Sequence, residues 1–376
     1  MSTNLNKDGL NFKRWILITG STDGFGRQLA QELAANIYEN FVIIHGRSEK
    51  NCQKTVEELE IEQENVGNNR KQRNVDFVAA DFSKLSEVLK MSEVVRLRFP
   101  RLNTLIACAS VVVQRRIKSH DGLELTLQAT PQMSTPQLSA NSPFIYSPNV
   151  YSQVSTPQIS GSHINNCLEV LFFASLWPFT SLFKINHLSH IVLFTELLPL
   201  LELNSPSRIL TVGSMLHNFS SSINWNDITS EGCKYDKFAQ YSLTKLMNHL
   251  ATLYIHRLMF KHKKQFQVTA NVVDAEKRVE KEGRTILPQH SNRAQFYSSL
   301  FPATSEPYLY EHVNALETIV RLTEDKEFEG ISGKYFDANG KELKLGASVC
   351  DVRVQDQLWS ESVGICEKIL AITRHT

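Results

Sequence analysis

Trp15-Ile-Leu-Ile-Thr-Gly-Ser-Thr-Asp-Gly-Phe-Gly26, followed by Arg27-Gln-Leu-Ala-Gln-Glu-Leu-Ala34, runs from an apolar stretch through three glycines into a helical pattern. Four apolar residues in a row, Trp15 to Ile18, read as a buried parallel strand. Leu29, Ala30, Leu33 and Ala34 then recur at helical spacing. Between them Gly20, Gly24 and Gly26 are spaced Gly-x3-Gly-x-Gly. Glycine at a strand-to-helix turn takes backbone angles closed to other residues. It also lets the chain approach a pyrophosphate seated on the free N–H groups of the helix N-terminus. The stretch therefore predicts a nucleotide-binding turn made by Gly20, Ser21, Thr22, Asp23, Gly24, Phe25 and Gly26.

Composition bounds the rest. The chain has 376 residues, enough for one large or two ordinary domains. A hydrophobic content of 42%, a charged content of 21% and a net charge of +1 describe a soluble globular protein. That charge balance supplies no electrostatic reason for a nucleic-acid partner. Six cysteines are scattered without a Cys-x-x-Cys pair. Such usage predicts a reduced, cytoplasmic setting rather than a disulfide framework or a metal site. Met1 to Leu10 shows no apolar signal core, and no apolar run reaches the length of a membrane span. Val170 to Phe183 comes nearest, but it is short and contains Pro178.

Phe41-Val-Ile-Ile-His45 reads as a second buried strand, with Gly46-Arg47-Ser48 behind it. In a dinucleotide fold the end of this strand meets the adenosine ribose. An acid there favours the 2′-hydroxyl of NAD, whereas an arginine accommodates the 2′-phosphate of NADP. Arg47 stands about 20 residues past the last glycine of the turn, with no acid before Glu49. NADP (NADPH) is the expected cofactor and NAD the less favoured one. Taken alone, Arg47 also reads as a solvated loop cation.

Asp76-Phe-Val-Ala-Ala-Asp81 supplies a third short strand, and Leu102 to Ser110 the fourth and its exit. Asp81, with Phe82 after it, is placed to meet the adenine. It equally suits the cap of a helix over 83–96. Three β–α units followed by a fourth strand predict an α/β fold, a Rossmann-type doubly wound parallel sheet in three layers (α/β/α). The ligand is expected at the carboxyl ends of the strands.

From Thr130 the composition changes. Thr130-Pro-Gln-Met-Ser134, Thr135-Pro-Gln-Leu-Ser139 and Thr156-Pro-Gln-Ile-Ser160 repeat one pentapeptide in a background rich in Ser, Thr, Gln, Asn and Pro. Residues 130–184 lack the apolar periodicity that offsets the entropy of ordering, so a disordered insertion is expected there. The rest of 1–376 reads as a single domain.

Ile185 to Leu201 is apolar and helical, with Asn186 near its start. Ser207-Arg-Ile-Leu-Thr-Val-Gly-Ser214 is a fifth strand ending in a serine, and Tyr241-Ser-Leu-Thr-Lys245 opens a long helix. Tyrosine and lysine at i and i+4 share a helix face. A neighbouring ammonium lowers the phenol's pKa from near 10, which lets it exchange a proton with a substrate oxygen. Ala315 to Leu322, Gly333 to Phe336 and Val354 to Glu367 read as a helix, a final strand and a closing helix.

Taken together, Thr19 to Gly26, Asp81, Asn186, Ser214 and Tyr241-x3-Lys245 resemble, in order, the motifs of the short-chain dehydrogenase/reductase family. Asp121-Gly-Leu-Glu-Leu, Ile185-Asn-His-Leu-Ser-His and Glu329-Gly-Ile-Ser-Gly-Lys-Tyr-Phe336 are similar to its retinol-dehydrogenase-like branch. The resemblance implies an NADP(H)-dependent oxidoreductase acting on a small lipophilic alcohol or carbonyl, such as a retinoid, steroid or isoprenoid. It implies Tyr241 as general acid/base and Lys245 as the group that lowers its pKa and holds the nicotinamide ribose. It further implies Ser214 as the substrate hydrogen-bond partner and Asn186 as holder of a relay water. Pairing of two copies through the helices bearing Asn186 and Tyr241, and a peripheral association with membrane, belong to the same resemblance.

The chain departs from the family at two places. Ala107-Cys-Ala-Ser110 stands where Asn-Asn-Ala-Gly is usual, and Asp274-Ala-Glu-Lys-Arg278 where Pro-Gly and a threonine are usual. These keep a second reading open, a catalytically silent nucleotide-binding or interaction protein. Residues 279–313 are expected over the substrate, with Phe296, Tyr297, Phe301, Tyr308 and Tyr310 suited to an apolar ligand or to ordinary packing.

Overall fold

The computed structural model describes residues 12–65, 73–112, 181–220, 222–230, 232, 234–261, 268–275, 277–279, 309–311 and 313–375. Nearly all of the 130–184 segment and the aromatics of 279–308 lie outside them. Ser181 to Lys184, assigned by composition to that segment, are helical, and Leu182 and Phe183 are buried.

The chain alternates β1 (Arg14–Ile18), α1 (Gly24–Ala35), β2 (Asn40–Gly46), α2 (Glu49–Asn65), β3 (Val75–Ala79), α3 (Leu85–Arg98) and β4 (Thr104–Ala107). A π-helical turn, Lys184–Leu188, then leads into α4 (Ser189–Leu203). After it come β5 (Ser207–Gly213), α5 (Lys237–Lys261) and β6 (Val268–Asp274). Among the described residues the short strands β7 (Lys277–Val279) and β8 (Leu309–Glu311) pair with each other as a separate two-stranded sheet. α6 (Val313–Glu324), β9 (Tyr335–Phe336), β10 (Glu342–Leu343) and α7 (Val352–His375) complete the fold.

The main sheet runs β10-β9-β6-β5-β4-β1-β2-β3, parallel throughout except for the β9–β10 pair. Its central strands are buried and largely apolar because helices cover both faces. Ile16, Ile18, Val42, Ile44, Ile106 and Leu210 meet Leu29, Ala30 and Leu33 of α1 and Ile319 of α6 in one core. Across the other face α3 packs on α4 and α5 on the π-helical turn, and α7 lies against all three helices. Strand order reverses between β1 and β4, both of which leave the sheet beside the glycine turn. A doubly wound sheet opens a ligand crevice at such a reversal.

Several boundaries differ from the sequence reading. The third strand is Val75–Ala79, so Asp81 stands in the loop beyond it. β4 stops at Ala107 because the exit folds over Thr19, whose Oγ1 accepts from the amides of Cys108 and Ala109, both at 2.9 Å. The helix expected over 83–96 starts at Leu85 with Lys84 as its N-cap.

Candidate active site

A cleft of about 520 Å³ lies over the glycine turn at the carboxyl ends of β1, β2 and β4. Among the residues expected to hold a nucleotide, Gly20, Thr22, Asp23, Gly24, Phe25, Arg47, Asp81 and Phe82 line it. Ser21 and Gly26 instead shape its floor. The buried Ser21 hydroxyl donates to the Ile18 carbonyl at 2.8 Å and accepts from the His45 amide at 2.9 Å, tying the turn to β2. Gly20 and Gly24 have φ of +68° and +55°, the left-handed region that glycine enters without strain. A Cβ on Gly26 would stand 2.2 Å from the Gly20 carbonyl oxygen, so the turn closes only with glycine there. Asp23 caps α1, accepting from the Gly24 amide at 2.7 Å.

His45 is the principal cleft residue that the sequence reading passed over. The Gly20 amide donates to its Nδ1 at 3.0 Å, which puts the ring proton on Nε2, 3.2 Å from the Ala80 carbonyl. The ring stacks on Phe82 with centroids 4.1 Å apart. Burial pushes its pKa down to about 3, so it stays neutral. The signal was present, since His45 ends an otherwise apolar run and directly precedes Gly46-Arg47. Arg47 is exposed at the rim, whereas Arg27 of α1 is held by Glu62 of α2 at 2.9 Å. One oxygen of Asp81 accepts from the amide and hydroxyl of Ser83, at 3.0 and 2.8 Å, so it caps that turn at the edge of the cleft.

The residues expected to do chemistry gather around the ends of β5 and α5. Ser214 is wholly buried just past β5 and caps a short 3-10 turn, its Oγ accepting from the Leu216 amide at 3.2 Å. Its carbonyl accepts from Nδ1 of His217 at 2.8 Å. Tyr241 lies in the second turn of α5, and Lys245 follows one turn later on the same face. The Lys245 ammonium stands 5.5 Å from the centre of the Tyr241 ring and donates to the Val212 carbonyl at 2.9 Å. Both are buried, which strengthens any charge interaction between them.

Asn186 sits in the π-helical turn, a distortion common at functional sites. Its amide brackets the cleft wall, Oδ1 accepting from Val111 N at 2.8 Å and Nδ2 donating to Val111 O at 2.9 Å. Its backbone carbonyl accepts from Asn248 Nδ2 at 2.8 Å and lies 3.1 Å from His190 Nδ1. In this geometry Asn186 is a brace.

The two departures have local explanations. Thr19 and Asn186 fasten the β4 exit in place of the missing asparagine, while Ser110 lines the cleft with no partner for its hydroxyl among the described residues. Asp274 is buried, and the Tyr335 hydroxyl donates to it at 2.5 Å. Its carboxyl group is thus inside the fold. Among the described residues Cys52, Cys108, Cys350 and Cys366 form no disulfide, and no helix is long and apolar enough to cross a membrane.

The chain is similar to several known proteins. Residues 14–165 match the family model described as short chain dehydrogenase. Human Retinol dehydrogenase 14 is 34% identical over 182 residues, 48% of this chain and 50% of that protein. Human Polyprenol dehydrogenase is 24% identical over 355 residues, 93% of this chain and 84% of that protein. The chain thus matches about half the length of the first and most of the second. The crystal structure of an uncharacterized protein from Mycobacterium paratuberculosis superposes with a TM-score of 0.58 at 18% identity, covering 95% of this chain and 94% of that one. The matched segment holds the glycine turn, and over it the chain is similar to the short-chain dehydrogenase family, while the solved structure shares its fold.

Proposed function

We propose that this chain is an NADP(H)-dependent oxidoreductase that interconverts an alcohol and a ketone or aldehyde on a lipophilic substrate. The observation that carries the reading is the buried Tyr241–Lys245 face of α5, with its ammonium 5.5 Å from the phenol ring, at the sheet end where the glycine turn opens. The Gly20–Gly26 approach, which admits no side chain, fits a pyrophosphate. A bound nicotinamide supplies the hydride chemistry. Tyr241 gives or takes the hydroxyl proton of the substrate, and Lys245 favours the phenolate by its charge. Ser214 orients the substrate oxygen.

Arg47 at the end of β2 supports NADP over NAD, since its guanidinium suits a 2′-phosphate. The names of the two human relatives denote long apolar alcohols, which supports a retinoid or isoprenoid class of substrate. Within the branch, Thr19 to Gly26 and Val268 to Asp274 resemble an X-chromosome-encoded dehydrogenase/reductase. Titration with NADPH and NADH by nicotinamide fluorescence, followed by turnover of such alcohols by the unaltered chain and by Tyr241→Phe, tests the proposal. Turnover abolished by Tyr241→Phe with NADPH binding kept is the expected result. Nucleotide binding without any turnover would instead establish the silent nucleotide-binding protein.

A further inference from the structure

α7 covers the face of α4 and α5 that carries the π-helical turn, and one buried hydrogen-bond chain runs inward from it. Ser362 of α7, wholly buried, lies 2.8 Å from Nε2 of His187. Nδ1 of His187 lies 3.1 Å from Oδ1 of Asn248, whose Nδ2 donates to the Asn186 carbonyl at 2.8 Å. Asn186 in turn holds both the amide and the carbonyl of Val111, at 2.8 and 2.9 Å, and Val111 lines the cleft.

The polarity of this chain is fixed by its members. Asn248 commits its amide hydrogens to Asn186, so its oxygen accepts and His187 carries its proton on Nδ1. Nε2 of His187 is then an acceptor, and the Ser362 hydroxyl donates to it. Burial keeps that imidazole neutral, its pKa pushed down to about 4, as the arrangement requires. Ser362, His187, Asn248 and Asn186 are all buried, where an unmade hydrogen bond costs most.

We propose that α7 is a positioning element of the nucleotide cleft: Ser362, through His187 and Asn248, fixes Asn186 and with it the cleft wall at Val111. The consequence for nucleotide affinity rests on the functional reading above, whereas the coupling to Val111 does not. Neither Ser362 nor His187 lines the cleft, so both act through Asn186.

Three variants of the full chain test this: Ser362→Ala, His187→Phe and, as a packing control on the same interface, Arg257→Ala. Arg257 pairs with Asp356 and Gln355 of α7 and stands outside the chain of hydrogen bonds. Amide hydrogen exchange at Val111 is read first, because it requires no nucleotide. Exchange there should quicken in Ser362→Ala and His187→Phe and stay unchanged in Arg257→Ala. The Kd for NADPH should rise about three- to tenfold in the first two and not in the third, the loss of up to one buried hydrogen bond. Unchanged exchange at Val111 in both network variants overturns the proposal, as does an equal effect in Arg257→Ala. Failure of the unaltered chain to bind either nucleotide would remove the functional reading, while the exchange measurement still decides the coupling.

Discussion

The Tyr335 hydroxyl donates to Oδ2 of Asp274 across 2.5 Å, joining β9 to the carboxyl end of β6 inside the fold. Both residues are buried, and the Tyr335 ring also stands edge-on to His217 and His249, with centroids 5.3 and 4.8 Å away. The acid that departs from the family pattern is thus built into the packing behind Ser214. Removing one donor from a buried carboxylate costs about 1.5–3 kcal/mol. Tyr335→Phe should lower unfolding stability by about that amount in urea titration, with the fold retained by circular dichroism. No loss of stability would mean that Asp274 does not depend on this phenol.

Gly24 and Gly26 should respond differently to alanine. A Cβ at Gly24 meets nothing within 4 Å, so Gly24→Ala bears only the left-handed strain of about 1–2 kcal/mol. At Gly26 the same atom would stand 2.2 Å from a backbone oxygen, and the turn must move. Gly26→Ala should abolish NADPH binding in a fluorescence titration, whereas Gly24→Ala should weaken it mildly. Equal affinities would show that the turn does not shape the binding site.

Arg47 gives a selectivity prediction. A charge-assisted hydrogen bond from arginine to a phosphate contributes about 1.5–3 kcal/mol. Arg47→Ala should therefore weaken NADPH at least about tenfold and leave NADH nearly unchanged, narrowing the ratio of the two Kd values. A parallel loss for both nucleotides would assign Arg47 to the shared part of the ligand.

Stability should fall in mild acid. His45, His187 and His190 are buried, and burial pushes their pKa values from 6.5 down to about 3, about 4 and about 4. Below pH 6.5 the unfolded chain takes up protons that the folded chain refuses, so stability declines as pH drops toward 4. Glu202, pushed up to about 7 by burial, acts in the opposite sense between pH 4.5 and 7, one group against these three and against His217, His249 and His256, which burial also pushes down. Thermal unfolding across pH 8 to 4 should show a Tm nearly level above neutrality and falling steeply below about pH 6. A level Tm down to pH 4 would show that these imidazoles open to solvent without unfolding.

Much of the site was legible because it is local chemistry. Gly20, Gly24 and Gly26 needed only the strand before them and the helix after them, and Tyr241 and Lys245 needed only helical spacing. His45 was passed over because strand periodicity assigns it to a buried run and says nothing of what meets its ring. The role of Asn186 was legible as a position, not as a set of bonds, since its partners are Val111, Thr244 and Asn248 from other parts of the chain. The closing helix was expected over 354–367, but α7 runs from Val352 to His375.

By itself the sequence determined the alternation of strands and helices, the glycine turn and the spacing of Tyr241 from Lys245, because each depends on neighbours within a few residues. Only the tertiary structure decided that Asp274 lies inside against Tyr335, that His45 accepts from Gly20, and that Ser362 reaches Val111 through three other side chains. Those bonds join segments as much as 175 residues apart. Which buried donor meets which acceptor is settled when helices pack on the sheet and water leaves, and no local pattern in the chain records it.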